Sequence, residues 1–192
     1  MTEQNVLSGL QGGTAGLLEQ ARPAIFFDVD GVLTTAPLHP GGYGKVGHVV
    51  WQFCERSGIG ARLMRNAAPS IGIAVMNRFY KAGWEVVVLS GRSLRHSSLT
   101  TDWLWKYGAK YHDGYLKPDG ISTARHKANV LERYNREWCS RRVLVDDQLP
   151  VIQSLSALPL LGLMVVPLTL IHMTDWCWVE PLLGRILCDS TM

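Results

Sequence analysis

Polar side chains capable of chemistry follow three apolar runs in this sequence. The three groups are Asp28 and Asp30 after 24–27, Ser90 and Arg92 on either side of Gly91 after 86–89, and Asp146 and Asp147 after 143–145. A lysine, Lys127, precedes the last run. If the runs are strands of one parallel sheet, their carboxyl ends meet at one edge, where such sheets bind ligands. The pattern therefore predicts a single site that contains all of these side chains.

Carboxylates dominate the predicted site. Carboxylates placed this close repel one another unless a cation lies between them. A hard divalent ion with oxygen ligands, Mg²⁺ in particular, meets that requirement. The metal ligands predicted from these residues are Asp28, Asp146 and Asp147. For Asp147, direct contact with the metal and a position behind the ligands both remain open.

The same groups predict phosphoryl transfer. Asp28 would attack phosphorus and form an aspartyl-phosphate. Asp30 would protonate the leaving oxygen and later activate water for hydrolysis. Asp28 and Asp30 are therefore the predicted catalytic residues, with a turn that carries two solvated acids as the alternative.

Four further residues are predicted to bind the substrate phosphate. They are Ser90, Gly91, Arg92 and Lys127. Ser90 and Lys127 would hold the phosphate oxygens as negative charge redistributes. Arg92 would donate a charged hydrogen bond to the substrate or to a carboxylate, and a structural ion pair is its alternative role. Lys117 competes with Lys127, but its Lys-Pro-Asp-Gly context is typical of a surface turn.

Strand-like and helix-like patterns alternate from residue 24 onward. The predicted helices are 70–81, one that carries Leu99 to Tyr107 and ends at Gly108, 123–136 and 149–158, and the last predicted strand is 162–166. This alternation predicts an α/β domain, a Rossmann-like arrangement with a central parallel sheet and helices on both faces.

Composition divides the chain into three parts. Residues 1–22, rich in Gly and Gln, are predicted to be a flexible leader, and 23–167 form the domain. Within it, 34–68 are predicted to be an irregular flap, or minimal cap, inserted after the first strand. Residues 168–192 are a C-terminal extension of unknown purpose.

The overall composition bounds the class of protein. The 192 residues are 47% hydrophobic and 18% charged, which excludes a disordered tail or linker. Scattered cysteines fit a reducing cytoplasm. The uncharged stretch 149–171 could span a bilayer, but its prolines favour a buried helix and strand, so we expect no membrane partner. Residues 1–142 are basic and 143–192 acidic, which is compatible with a phosphate-bearing partner.

The motifs together resemble the haloacid dehalogenase-like (HAD) superfamily of phosphohydrolases. The resemblance rests on Asp-Val-Asp-Gly-Val-Leu-Thr from Asp28, Leu-Ser-Gly-Arg ending at Arg92, Lys127, and Val-Asp-Asp ending at Asp147, in the family's order. It implies a Rossmann-like sheet with the nucleophile strand near its centre. It also implies Mg²⁺ held by Asp28, the backbone carbonyl of Asp30, and Asp146.

Within that superfamily, the Ser-Gly-Arg motif and the spacing from Lys127 to Asp146 are similar to the phosphatase domain of polynucleotide kinase/phosphatase enzymes. The resemblance implies removal of a 3′-phosphate from DNA or RNA ends. The segment between Ser90 and Lys127 has no room for a large cap, and an open site favours a macromolecular substrate. The sequence departs from that pattern at Thr123, where an acidic residue is expected. It also departs in the flap, where the family has a basic residue and this chain offers His39 or Lys45 at shifted positions.

Two other functions fit the same motifs. One is a small-molecule phosphatase that acts on nucleotides, and the other is a non-catalytic HAD-like scaffold that binds a partner. The oligomeric state is not predicted. Arg56, Arg62 and Arg65 could line a groove for a phosphate backbone or form a solvated basic face. Trp51 could stack on a base, whereas Trp103 is assigned to the core.

Overall fold

The computed structural model of the chain describes residues 22–35, 54, 57–134, 141–157, 163–167 and 181–186. The predicted leader up to residue 21 and most of the predicted flap lie outside these residues. So do several individual residues singled out by the sequence: His39, Lys45, Trp51 and Arg56.

Five strands form one sheet in which all neighbours run parallel. They are β1 (Ala24–Phe27), β2 (Glu85–Ser93), β3 (Asp113–Lys117), β4 (Arg142–Asp146) and β5 (Leu163–Pro167). Their order is β3-β2-β1-β4-β5, so β1 is central and pairs with β2 on one side and β4 on the other. The predicted parallel sheet is confirmed.

Five helices connect the strands. They are α1 (Ile59–Asn66), α2 (Gly72–Lys81), α3 (Ser97–Lys106), α4 (Thr123–Arg133) and α5 (Leu149–Ser156). Helix α2 begins two residues after the predicted Ser70, because the Ser70 hydroxyl accepts a hydrogen bond from the Gly72 backbone N–H at 2.9 Å and closes the turn ahead of the helix.

The two faces of the sheet bury two separate apolar clusters. On β1, Ile25 and Phe27 point to one face and Ala24 and Phe26 to the other, as strand alternation requires. Helices α2 and α3 cover the first face, and α4 and α5 cover the second. The predicted placement of Trp103 in the core is confirmed, and Leu183, from the helical segment 181–186, is buried in the same cluster.

One element differs from the sequence prediction, and another, a strand expected between Ser90 and Lys127, was not located within that segment from the sequence. Residues 34–68 were expected to be irregular, yet 59–66 form helix α1, which packs against α3. Gly58 starts it with a φ of 74°, and only Gly60 and Met64 are buried, so the apolar signal is short. Strand β3 has no apolar run, because it is an edge strand whose residues are only half-buried or exposed.

The uncharged stretch 149–171 contains the expected helix and strand, α5 and β5, within its described part. The strand is not buried as expected, because β5 lies at the sheet edge, where Met164 is exposed and, of the side chains described, only Val166 is buried. Among the described helices, none combines the length and the apolar character that crossing a membrane would require.

The strand order creates a crevice beside β1. The chain moves outward from β1 to β2 and β3, and then returns to β4 on the opposite side of β1. In open parallel sheets this reversal leaves a crevice at the carboxyl ends of the two strands where it occurs. Asp28 follows β1 and Asp146 ends β4, so both aspartates lie at the mouth of this crevice.

Candidate active site

The tight turn Val29–Leu33 carries the first two aspartates away from β1. The Asp28 backbone N–H donates to the Val145 carbonyl at 3.0 Å, which extends the pairing of β1 with β4. Asp30 is extended, and Gly31 then turns the chain with a φ of 77°. The Thr34 hydroxyl accepts a hydrogen bond from the Gly31 N–H at 3.0 Å and closes the turn.

Three carboxylates gather at the crevice and form what we call the acid cluster: Asp28, Asp146 and Asp147. One oxygen of each lies within 4.8 Å of the others. Asp28 and Asp146 are fully buried. Asp147 reaches the cluster by lying over Gly31, where a Cβ atom would stand only 2.0 Å from the Asp147 Oδ2. The glycine of the first motif thus makes room for the last aspartate.

Lys127 is the counter-ion of the acid cluster. Its ammonium group, fully buried, lies 2.5 Å from the Asp146 Oδ2 and 3.2 Å from the Asp28 Oδ1. Helix α4 packs on β2 and β3 and directs Lys127 across the sheet edge toward β1 and β4. Lys117, the alternative from the sequence, ends the edge strand β3 opposite Ser93.

The surroundings of Asp28 disfavour its charged form. Burial raises the pKa of Asp28 to about 7, and the charges of Asp146 and Asp30 act in the same direction against that of Lys127. Burial alone would lower the pKa of Lys127, but the charges of Asp146 and Asp28 raise it overall. The lysine therefore stays protonated, while its single charge is shared between two carboxylates.

The acid cluster fits a divalent metal ion. Its donors are carboxylate oxygens, which Mg²⁺ prefers. Within the described part of the chain, the buried Asp28 Oδ2 accepts no hydrogen bond, which is costly unless a ligand completes it. Asp28, Asp146 and Asp147 would hold such an ion. The Asp30 carboxylate is not in this group, so of its oxygens only the backbone carbonyl remains for the metal, as the HAD resemblance implies.

The Asp30 carboxylate instead pairs with Arg92. The Arg92 Nη2 donates to the Asp30 Oδ1 at 2.7 Å, and Nε donates to Oδ2 at 3.0 Å. Exposure is 2% for the Arg92 side chain and 12% for that of Asp30. For Arg92, the sequence left open a hydrogen bond to the substrate, a hydrogen bond to a carboxylate, and a structural ion pair. The contact with Asp30 is a hydrogen bond to a carboxylate and also an ion pair.

Ser90 and Gly91 form the end of β2 beside this pair. Ser90 is fully buried, and its hydroxyl accepts a hydrogen bond from the Arg92 backbone N–H at 3.2 Å. Gly91 is covered by Thr123, whose Cγ2 atom would be 2.8 Å from a Cβ placed on this glycine. Thr123 begins α4, one helical turn before Lys127, so the contact joins two elements whose residues are predicted to bind phosphate.

Thr100 also contacts this site, although its sequence context did not predict it. This residue is 2% exposed on α3 and accepts a hydrogen bond from the Arg92 Nη1 at 3.3 Å. The signal was a hydroxyl on the apolar face of a helix, next to the core residues Trp103 and Leu104. A buried hydroxyl needs a partner, but the sequence alone does not identify which one.

No protein-family model matches the chain, and no curated protein matches its sequence. Solved structures do. One chain in the structure of the Pnkp1/Rnl/Hen1 RNA repair complex aligns with a TM-score of 0.57 and 18% identity over 84% of this chain and 48% of that chain. A second structure of the Pnkp1/Rnl/Hen1 complex gives a TM-score of 0.55 and 17% identity over 83% of this chain and 51% of that one.

The chain therefore spans about half the length of these two matches. A structure of phosphoserine phosphatase in its apo form aligns with a TM-score of 0.49 and 14% identity, over 82% of this chain and 98% of that chain. At the identities of the first two matches, the likeness concerns the fold alone. The chain has the Rossmann-like fold that its sequence predicted, with a central parallel sheet and helices on both faces.

Proposed function

We propose that this chain is a Mg²⁺-dependent phosphomonoesterase that acts through an aspartyl-phosphate. The observation that carries the proposal is the acid cluster of Asp28, Asp146 and Asp147 around a buried Asp28 oxygen, with Lys127 beside it. Such a group of carboxylates suits a divalent cation, and the lysine suits a phosphate. A scaffold that only binds a partner has no need of either.

The first half of the proposed reaction transfers the phosphoryl group to the protein. The Asp28 Oδ2 forms a bond to phosphorus, and the bond from phosphorus to the ester oxygen breaks. Asp30 gives a proton to that oxygen, so the alcohol leaves neutral. Ser90 and Lys127 hold the remaining phosphate oxygens. Mg²⁺, when bound, would offset the repulsion between the phosphate and the acid cluster.

The second half regenerates the protein. Asp30, now a carboxylate, takes a proton from a water molecule whose oxygen attacks phosphorus. The bond between phosphorus and the Asp28 oxygen breaks, which releases inorganic phosphate and restores the Asp28 carboxylate. Asp30 is again protonated and ready for the next ester.

A 3′-phosphate at the end of a nucleic acid is the proposed substrate. Three observations support it: the Ser-Gly-Arg motif, the absence of a cap domain between β2 and α4 in the described chain, and the similarity to part of a chain in an RNA repair complex. Arg62 and Arg65 add exposed positive charge on α1, close in sequence to the residues that pair with Thr34 and Thr35 after the active-site turn.

The test compares three substrates with the full chain: an oligonucleotide with a 3′-phosphate, the same oligonucleotide with a 5′-phosphate, and a free nucleoside 3′-monophosphate. We expect Mg²⁺-dependent release of phosphate, fastest from the 3′-phosphorylated oligonucleotide and abolished by a chelator. Equal or faster turnover of the free nucleotide would replace this substrate with a small molecule. No Mg²⁺-dependent release from any ester would leave the binding scaffold as the function.

A matched pair of variants assigns the activity to this site. Asp28→Asn should abolish phosphate release, whereas Asp102→Asn makes the same chemical change at an exposed position on α3 and should not. If both variants release phosphate at the wild-type rate, the activity comes from elsewhere and the proposal is wrong.

A further inference from the structure

We propose that Thr100 is a positioning residue which, through Arg92, fixes the Asp30 carboxylate for proton transfer to the leaving group. The inference rests on the proposed function, because it gives Asp30 the role of proton donor. It assigns a part in the reaction to α3, a helix that contains none of the sequence motifs.

The Arg92 guanidinium is held on both of its sides. One side presents Nε and Nη2 to the Asp30 carboxylate, with the closest contact 2.7 Å between Nη2 and Oδ1. The other side presents Nη1 to the Thr100 hydroxyl oxygen at 3.3 Å. Because the guanidinium is planar and rigid, contacts on opposite sides fix the plane in which Asp30 is held.

Burial makes this arrangement specific. The Thr100 hydroxyl and the Arg92 side chain are almost entirely excluded from solvent, so water cannot easily replace either partner. Asp30, at 12% exposure, is the most accessible member of the three. A chain of contacts that begins in the core at α3 thus ends on a carboxylate that faces the substrate side.

Position matters for Asp30 because proton transfer requires hydrogen-bond reach. A donor must lie within about 2.6–3.2 Å of the oxygen that it protonates. Without the Thr100 hydroxyl, Arg92 can rotate about its side-chain bonds and carry the carboxylate with it. The nucleophile, Asp28, is held by other contacts and would stay in place, so only the protonation step should suffer.

The experiment uses two esters that differ in their need for a proton. A sugar 3′-phosphate releases a strongly basic alkoxide and needs the proton, whereas p-nitrophenyl phosphate releases a weakly basic phenolate and needs it little. The quantity to measure is kcat/KM for each ester, which reports the first phosphoryl transfer. The variants are Thr100→Val, which keeps the shape and removes the hydroxyl, and Thr100→Ser, which keeps the hydroxyl.

We expect Thr100→Val to lower kcat/KM by about 10-fold to 100-fold for the oligonucleotide 3′-phosphate, part of what a general acid contributes. The loss for p-nitrophenyl phosphate should stay within about 3-fold, and Thr100→Ser should restore the wild-type ratio between the esters. Equal losses on both esters would overturn the inference, because a merely structural residue would affect both alike.

Thr100→Ala provides the same comparison if Thr100→Val does not fold. This variant also removes the hydroxyl that Arg92 Nη1 contacts, and it leaves the Arg92 N–H groups that contact Asp30 in place. A loss confined to the oligonucleotide ester supports the inference, and equal losses overturn it. If the wild-type chain hydrolyses both esters but the substitution leaves the ratio of their kcat/KM values unchanged, the positioning role is wrong and the proposed function stands. If it hydrolyses neither, both are wrong.

Discussion

Two aspartates in one short turn have opposite surroundings. Asp28 joins an acid cluster of three carboxylates in which one buried lysine contacts only Asp28 and Asp146, and its Oδ2 lacks a hydrogen bond from any described residue. Asp30, two residues later, is matched by an arginine that contacts both of its oxygens. The first region is incomplete without a ligand, and the second is complete within the chain.

The difference suits the two regions to different tasks: the acid cluster to binding a ligand, and the Asp30–Arg92 pair to holding a side chain in position. Buried carboxylates without enough counter-charge repel one another, so the acid cluster costs stability in the empty protein and gains from a cation. The Asp30–Arg92 pair, in contrast, satisfies a buried charge, and removal of either partner leaves the other uncompensated. We therefore expect the same substitution, Asp to Asn, to have opposite effects on stability at the two positions.

The largest expected effect is the loss of activity in Asp28→Asn. An amide cannot act as the nucleophile, so turnover should fall by about 10⁴-fold or more. The free energy of unfolding in the absence of metal should stay equal or rise, because one repelling charge is removed. Steady-state assays and denaturant unfolding with a chelator check both parts. Wild-type turnover in this variant would show that Asp28 is not the nucleophile.

The pH dependence of stability sharpens this prediction. The pKa of Asp28 is about 7 in the folded chain, compared with 3.8 for a free aspartate. Between these values the folded state binds more protons than the unfolded state, so this group makes the metal-free protein less stable as pH rises from about 4 to 7. Denaturant unfolding over this range should show a shallower loss of stability in Asp28→Asn. An identical pH profile in both proteins would contradict the crowding of charge at Asp28.

The second prediction concerns Asp30→Asn, which tests the other half of the comparison. Loss of the proton donor should lower kcat/KM for a sugar phosphate by about 10²-fold to 10⁴-fold. Here the free energy of unfolding should also fall, by about 1–3 kcal/mol, because buried Arg92 loses its counter-charge. Denaturant unfolding of this variant beside Asp28→Asn gives the contrast directly. If both variants shift stability in the same direction, the two regions do not differ as the structure indicates.

Much of the site could be predicted from the sequence because the end of each buried strand is visible as the point where an apolar run stops. The apolar runs stop at Asp28, Ser90 and Asp146, and parallel topology brings such ends to one edge. That the acids would divide into two environments could not be predicted. Asp30 and Arg92 are distant in the chain, and only the side-chain directions at a turn and at the end of β2 decide that they pair.

The missed elements have similar explanations. Strand β3 lies at the sheet edge with one partner, so its sequence needs no continuous apolar run. Helix α1 buries only two residues against the rest of the domain, which leaves too short a pattern to detect. Thr100 is polar on an apolar helix face, and its purpose depends on an arginine from another element.

The third prediction concerns Gly31→Ala, a substitution that would displace Asp147, one member of the acid cluster. Gly31 has a φ of 77°, and a Cβ there would stand 2.0 Å from the Asp147 Oδ2. Asp147 must move away, so Mg²⁺ affinity should fall by about 10-fold or more, as for other changes beside metal ligands. The shift in melting temperature produced by Mg²⁺ measures this without an activity assay.

Gly83→Ala is the matched control for this variant. Gly83 has a φ of 80° and nothing within 4 Å of its Cβ position, so alanine there introduces the backbone strain without the collision. Both variants should lose about 1–2 kcal/mol of stability, but only Gly31→Ala should respond less to Mg²⁺. An equal response would mean that Asp147 takes no part in holding the ion.

The smallest expected effect belongs to Gly91→Ala, at the junction of the two regions. The added methyl group would stand 2.8 Å from the Thr123 Cγ2, so β2 and α4 must separate slightly. Ser90 then shifts relative to Lys127, and kcat/KM should fall by about 3-fold to 10-fold on both esters alike, since a small misplacement of positioning groups is already costly.

The second substitution Thr123→Ala removes the colliding atoms and should restore most of this loss. Gly114→Ala, whose nearest neighbours to the new Cβ are at ordinary distances of 3.7 and 3.9 Å, provides the control for adding a methyl group to a strand. If Thr123→Ala fails to restore activity, the contact between the two elements does not set the phosphate site. If the ratio between the esters changes instead, Gly91 acts on Arg92 and the Asp30 side. In that case Ser90 would belong with the residues that bind phosphate, and Gly91 would belong with Arg92 and Asp30.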